Sequence, residues 1–286
     1  MIDLHTHTNL SDGSQTLTQL LEKAEKTGLS VLSITDHNCV EAYNELTKID
    51  SKLFTGKIIT GTEVYFYQDG IYNELLGYKF DLAKISQNKI FDRESGQQVQ
   101  VEILNILYSR LINKGFMMSD KQILIDKLKQ GRNFGITECY NDLVNYSSNN
   151  ELLLENNINN LIDFYVRWAD NKTSDMYVNS FSQFPNMHTV SQAIRDAGGL
   201  VFMAHIFRKS EKEIWHLLNY AVENKLIDGI EVYYRNNTQE QREILLAFCQ
   251  KHNLFVSGGT DSHHLNQQLG LTDIGPISDD VIQDWL

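Results

Sequence analysis

The chain has 286 residues, 42% hydrophobic and 22% charged, an ordinary globular composition that fits one large α/β domain with an insertion or two smaller domains. Lys+Arg 25 against Asp+Glu 37 gives a net charge of −12, which argues against a duplex nucleic-acid binder that relies on phosphate contacts. Cys39, Cys139 and Cys249 form no CxxC pair, so neither a disulfide framework nor a cysteine zinc site is expected; with no leader-like start and no apolar run of spanning length, the sequence reads as a cytoplasmic protein.

Strand and helix signals alternate from the start. Met1–His5 reads as a strand and runs into His5-Thr6-His7, then Ser11-Asp12-Gly13. Thr16–Thr27 reads as an amphipathic helix with Leu17, Leu20, Leu21 and Ala24 on one face; Thr16 or Thr18 could cap it, and Gly28 ends it. Ser30–Thr35 is a second strand ending at Asp36-His37, and Glu41–Ile49 a helix. Lys57–Tyr67, containing Gly61-Thr62-Glu63, and Glu74–Phe80 are further strands. From about residue 85 to 188 the chain is rich in Asn, Gln, Lys and Ser, with helical patterns at Val101–Asn113 and Asp120–Lys129 and few strand signals. The alternation then resumes. Ser191–Ala197 is a helix and Leu200–Ala204 a strand ending at His205; Ile214–Asn224 is a helix and Gly229–Tyr234 a strand. Gln239–His252 is a helix, and Leu254–Ser257 a strand that runs into Gly258-Gly259-Thr260-Asp261. Repeated strand–helix–strand spacing implies a mostly parallel sheet. The expected organisation is one barrel-like domain, 1–84 with 189–286, interrupted by a mainly helical insertion at 85–188.

Polar residues gather where strands end: His5 and His7, Asp36-His37, Glu63, Glu74, His205, Glu231, and Asp261 with His263. Ligands of parallel α/β folds bind outside those carboxyl ends. Two histidines two apart on an extended segment point to one side, so a single cation can take both. Imidazole with carboxylate suits Mn, Fe, Zn or Ni better than Ca or Mg alone. Taken singly, an HxH or a DxH is weak, and a carboxylate after a strand is often a helix cap. His188, His216, His252 and His264 lie in helical or loop contexts and read as surface or core-edge residues.

The ordered segments HTHTNLSDG, ITDHN, GTEV, MAHIF and GGTDSH resemble the polymerase and histidinol phosphatase (PHP) superfamily, across roughly 1–80 and 189–270. The chain is most similar to its stand-alone metal-dependent phosphoesterases with a helical insertion. The resemblance implies a distorted (β/α)7 barrel holding two or three divalent transition-metal ions, Mn, Fe or Zn. It implies His5, His7, Glu63 and Asp261 at one ion, Glu63, Glu74 and His205 at a second, and Asp12, His37 and His263 at a third. Asp12, His37 and Glu63 are expected to serve catalysis as well. Glu74 stands where the family usually has a histidine, in Asn73-Glu74-Leu75-Leu76-Gly77-Tyr78, and Ile206 replaces a proline. Gly131-Arg132-Asn133-Phe134 resembles a family segment with Phe134 in place of a histidine, which leaves Arg132 as a phosphate ligand; Arg208 is a second.

The implied activity is hydrolysis of small phosphomonoesters by metal-activated hydroxide, with nucleotides or nucleoside bisphosphates as substrates. Histidinol phosphate and short oligonucleotide ends are alternatives within the superfamily. An amidohydrolase-like hydrolase and a non-catalytic metal-binding module are the other readings. No membrane or long nucleic-acid partner is expected. The insertion could cover the barrel mouth. Its aromatics, Phe134, Tyr140, Tyr165 and Trp168, read as core more readily than as a base-stacking surface.

Overall fold

Local signals set the element boundaries in the computed structural model, which describes residues 1–91, 93–131, 134–179, 184–282 and 284–286, the side chains of 93–96, 130 and 131 excepted. Thr16 and Gln19 form a capping box at the start of the helix Leu17–Thr27, and Gly28, at φ 73°, closes it with its N–H on Ala24 O and Glu25 O. Leu17, Leu20, Leu21 and Ala24 are its buried face, as the periodicity predicts. Two helix starts lie upstream of expectation. Asn186 caps Met187–Asp196, and Ser210 with Glu213 opens Glu211–Glu223. The expected helix Glu41–Ile49 stops at Leu46, and a 3₁₀ turn capped by Asp50 follows at Ser51–Leu53.

The chain folds into two compact units, Met1–Asp92 with Phe184–Leu286, and Arg93–Gln183. In the first unit seven strands form one sheet in chain order: β1 (Ile2–Asp3), β2 (Val31–Ile34), β3 (Lys57–Gln68), β4 (Ile71–Tyr78), β5 (Leu200–Met203), β6 (Gly229–Tyr234) and β7 (Phe255–Gly259). Neighbours are parallel except that β4 runs antiparallel to β3 and β5. Past β1 the chain lies beside β7: Leu4 N donates to Gly258 O at 3.1 Å, and Thr6 bridges Ser262 in parallel. The sheet therefore nearly closes on itself, a distorted (β/α)7 barrel. Ile2, Leu4, Ile59, Leu76, Tyr78, Phe202 and Ala204 form its inner cluster, and the Tyr78 hydroxyl donates to Leu4 O at 2.9 Å. A second layer packs the strands against the helices, with Leu20, Leu32, Ile194, Leu217 and Leu245 at its centre.

The second unit contains the helices Arg93–Asn113, Lys121–Gly131, Gly135–Leu143 and Asn150–Glu155 and the π-turn Phe164–Ala169, with no strand among its described residues. Leu104, Leu107, Leu124, Leu143, Phe164 and Trp168 are buried together. Trp168 packs on Phe116 and Phe164, and Tyr140 on Phe164, so these aromatics are core. Phe134 is exposed and precedes Gly135–Leu143 as an N-cap without a side-chain bond.

The barrel seam depends on a missing side chain. A Cβ on Gly259 would overlap His5 Cβ and stand 2.5 Å from His5 N. Gly259→Ala must therefore push the His5 segment away from β7. A loss of about 1–3 kcal/mol in unfolding free energy is expected; urea denaturation checks it, and an unchanged midpoint would show the seam to be slack.

Candidate metal centre

The site is built from residues just past the ends of β1, β2, β5 and β7 and from Glu63 and Glu74, which lie inside β3 and β4 and not at strand ends as expected. His5 and His7 both fall beyond β1, which ends at Asp3 and not at His5 as expected. Their backbone is held by His7 N on Ser262 O at 2.9 Å and by Thr35 N on Thr6 O at 2.8 Å. The two rings still share a side, with centroids 5.2 Å apart. Buried carboxylates fix the loops. Asp36 accepts from Thr8 N at 2.7 Å, Thr8 Oγ1 at 2.6 Å and Ser11 Oγ at 2.6 Å, which holds the turn that carries Asp12. Asp3 accepts from His5 N at 3.3 Å, Thr260 N at 3.0 Å, Thr260 Oγ1 at 2.6 Å and Gly270 N at 2.8 Å, tying the first histidine to the loop bearing Asp261. His37 bridges Glu63 in parallel, and Asp261 sits at φ 52°, a conformation rare outside glycine.

Three sets of side chains place candidate ligand atoms within 4.8 Å of one another: His7, Asp12, His37 and His263; His5, His7, Glu63 and Asp261; and Glu63, Glu74 and His205. Glu63 belongs to two sets and His7 to two, so the sets are contiguous. Their atoms converge, and only some of them pair: His205 Nε2 bonds Glu63 Oε1 at 2.8 Å. His5 Nε2 is 3.1 Å from Glu63 Oε2 and 3.4 Å from Asp261 Oδ1; His7 Nε2 is 3.3 Å and 3.1 Å from the same oxygens. Yet His5 Nε2, both His7 ring nitrogens, His37 Nδ1, His205 Nδ1, Glu63 Oε2 and Asp261 Oδ1 are buried without a hydrogen-bond partner. So many orphaned polar atoms aimed at common points are costly unless something else binds them. Divalent ions fit that donor set.

Neighbouring groups fix ring orientation. His5 Nδ1 donates to Glu231 Oε1 at 2.8 Å, which leaves Nε2 facing Glu63 and Asp261. The other Glu231 oxygen accepts from His205 N at 2.9 Å. His263 Nδ1 donates to Asp261 O at 2.9 Å, and its Nε2 stands 3.2 Å from Asp12 Oδ2. Burial alone would lower the histidine pKa values. The charges of Glu63, Glu231 and Asp261 outweigh it at His5, and the approach of Asp261 and Glu63 lifts His7 to about 9. His37 and His263 are raised against burial chiefly by Asp12. Burial conversely favours neutral carboxyls, but Asp12, Glu63 and Asp261 are held below the usual range, Asp12 chiefly by His37 and the other two chiefly by His5.

Of the residues singled out from the sequence, His5, His7, Asp12, His37, Glu63, Glu74, His205, Asp261 and His263 fall in these sets. Arg208 stands at their edge, its side chain half exposed, donating to Asp261 Oδ2 at 2.7 Å and Tyr234 Oη at 2.8 Å. Arg132 lies outside the described residues. His188, His216, His252 and His264 join no set; His216 pairs with Asp69, and His264 Nδ1 is 3.0 Å from Ser14 Oγ. Sequence alone gives Asp3 and Tyr65 no role, and it marks Asp36 only as an acid at a strand end. Tyr65 stacks on His37 with centroids 4.5 Å apart. Glu231 likewise reads only as a strand-end acid; its signal is a charge inside the apolar strand GIEVYY, fully buried in the fold.

A histidine with a raised folded pKa stabilises the fold below its unfolded value, 6.5, and that contribution is lost as pH climbs through the folded value, about 9 for His7. Metal-free protein is therefore expected to lose stability between pH 6.5 and about 9. Mn²⁺ is expected to reverse the loss, because binding needs the same nitrogens deprotonated. Thermal melts across that range with and without Mn²⁺ check this; a metal-free profile that rises toward pH 9 contradicts it.

The family model of the PHP domain matches residues 3–270. A 5'-3' exoribonuclease from Haemophilus influenzae is 23% identical over 99% of this chain and 97% of its own length. A phosphoribosyl 1,2-cyclic phosphate 1,2-diphosphodiesterase from Eggerthella lenta is 32% identical, but over only 26% of this chain and 29% of that protein. A Bifidobacterium adolescentis crystal structure assigned as a metal-dependent phosphoesterase superposes with a TM-score of 0.68 at 24% identity, covering 99% of this chain and 94% of that one. An amidohydrolase from Chromobacterium violaceum does so with a TM-score of 0.70 at 20% identity, covering 96% and 92%; at these identities both likenesses speak for the fold. The chain belongs to the PHP domain family and is a metal-dependent phosphoester hydrolase.

Proposed function

We propose that the chain hydrolyses phosphate monoesters of small nucleotides, nucleoside bisphosphates among them. The observation that carries this reading is the contiguous set of orphaned, buried nitrogen and oxygen donors beside the half-exposed guanidinium of Arg208. His5, His7, Glu63 and Asp261 would hold one divalent ion, Glu63, Glu74 and His205 a second, and Asp12, His37 and His263 a third. Such ions lower the pKa of water to about 7 and neutralise phosphoryl oxygens.

The protein's own groups supply the positioning. Arg208 is held by Asp261 and Tyr234 through Nη2, which leaves its remaining N–H groups to fork onto phosphoryl oxygens. Glu231 keeps the His5 ring in the tautomer that presents Nε2. The Asp36 network holds the Asp12 turn against rearrangement when a charged substrate arrives. The net charge of −12 favours short substrates over long polyanions.

Removal of the 5′-terminal nucleotide from short RNA is the second reading. It is favoured by the likeness, along nearly the whole chain, to the Haemophilus influenzae protein named as a 5'-3' exoribonuclease.

Metal-free protein reloaded with Mn²⁺ is to be assayed on nucleoside 3′,5′-bisphosphates, mononucleotides, 5′-phosphorylated tetraribonucleotides, histidinol phosphate and an N-acyl amino acid. Phosphate release from the bisphosphate or mononucleotide supports the first reading. Nucleotide release from the oligomer supports the second, and turnover of the amide alone overturns both. Arg208→Ala is expected to lower kcat/KM about 100-fold on the preferred phosphate ester.

A further inference from the structure

The three donor sets are not chemically alike. His7, Asp12, His37 and His263 offer three imidazoles and one carboxylate; His5, His7, Glu63 and Asp261 offer two of each; Glu63, Glu74 and His205 offer one imidazole and two carboxylates. The site thus grades from nitrogen-rich to oxygen-rich. Imidazole suits Zn and Fe, whereas carboxylate suits Mn and Mg. The oxygen-rich end is a built site rather than an acidic surface patch. All three of its residues are buried; His205 Nε2 bonds Glu63 Oε1 at 2.8 Å, which leaves His205 Nδ1 without a hydrogen-bond partner, 3.8 Å from Glu74 Oε2 and too far to bond it.

Glu74 makes the difference. It is the fourth of eight residues in β4, directly across from Tyr65 of β3, and Asn73 ties its segment to the residue after β5 through a bond to Ala204 O at 3.1 Å. A histidine at that position would give the set two imidazoles and one carboxylate, hence a borderline cation like the rest of the centre. At that subsite Glu63 and Glu74 together carry two negative charges, which match one divalent ion, where a neutral histidine in place of Glu74 would leave one.

We propose that the working centre is mixed: the Glu63–Glu74–His205 subsite takes a hard divalent cation, Mn²⁺ or Mg²⁺, and the histidine-rich subsite takes a borderline one, Zn²⁺ or Fe²⁺. This rests on the metal-site reading above but not on the substrate. Glu74 is the residue that sets the selectivity.

The test reads metal, not turnover. Metal-free wild type, Glu74→His and Glu74→Gln are titrated with Mn²⁺ by electron paramagnetic resonance and with Zn²⁺ against a chromophoric chelator. Glu74→His is expected to weaken one Mn²⁺ equivalent about 10-fold or more and to strengthen one Zn²⁺ equivalent by a similar factor. Glu74→Gln, which keeps the shape and an oxygen, is expected to lose the Mn²⁺ equivalent without the Zn²⁺ gain. Circular dichroism melts of the metal-free proteins establish that each variant folds. The same Mn²⁺ and Zn²⁺ affinities in wild type and in either folded variant would overturn the proposal. Metal binding as expected with no phosphoester turnover rejects the proposed substrate and leaves this selectivity standing; no binding of either metal rejects both.

Discussion

Glu63 carries a carboxylate that is 1% exposed, and four histidines from three parts of the chain crowd it: His5 at 3.1 Å, His7 and His37 at 3.3 Å, and His205 at 2.8 Å. A carboxylate taken out of water costs several kcal/mol unless countercharge meets it. The countercharge here comes from the ends of β1, β2 and β5, while Glu63 itself sits on β3. The barrel can bury Glu63 only if those strands arrive in register, and the register is set by apolar side chains on the inner face, Leu4, Ile59, Leu76 and Phe202 among them. The apolar core and the charged site are therefore one constraint seen from two ends of the same strands.

A second tier of buried acids makes that arrangement stiff. Asp3, Asp36 and Glu231 are almost wholly buried, and each receives hydrogen bonds from backbone N–H groups of the segments that carry the site. None belongs to a donor set, so each can stay committed to the backbone whether or not an ion is bound. Asp3 spans the seam between the chain's first and last site residues, and Glu231 links the His5 ring to the His205 backbone. Carboxylates used this way fix loops that would otherwise adapt to every change in charge at the centre.

The fold is legible in the sequence because strand and helix periodicity survive in the first unit and because caps such as Thr16 and Gly28 are strong local signals. The helix start at Glu211 escapes a periodicity reading because its first turn, Glu211-Lys212-Glu213, is polar, whereas Met187 and Val190 continue the apolar pattern of their helix back to its start. His5, His7, His37, His205, Asp261 and His263 are legible as polar side chains just past strand ends, where packing gives no reason for histidine, whereas Glu63 and Glu74 lie inside β3 and β4. The roles of Asp3 and Asp36 are not legible: Asp3 is a single acid in a short strand, and Asp36, next to His37, reads only as another strand-end acid. Only the three-dimensional path shows that their oxygens turn to backbone N–H groups. Tyr65 is hidden for a different reason: an aromatic in a strand is ordinary, and its stacking on His37 depends on the β2–β3 pairing.

The acidity of the whole chain and the anionic nature of a phosphate ester are compatible because they act at different ranges. Surface charge is screened within about 10 Å in ordinary salt, so it biases which polyanions approach rather than what binds inside. At the centre the sign depends on the ions, since the carboxylates by themselves would repel a phosphate. Arg208 is the fixed cation that does not leave with the metal, and its bond to Asp261 keeps it at the edge of the donor sets rather than in solvent. On the proposed reading, a substrate with one phosphoryl group between Arg208 and bound ions would meet attraction there, and the net charge of −12 would disfavour a long polyanion.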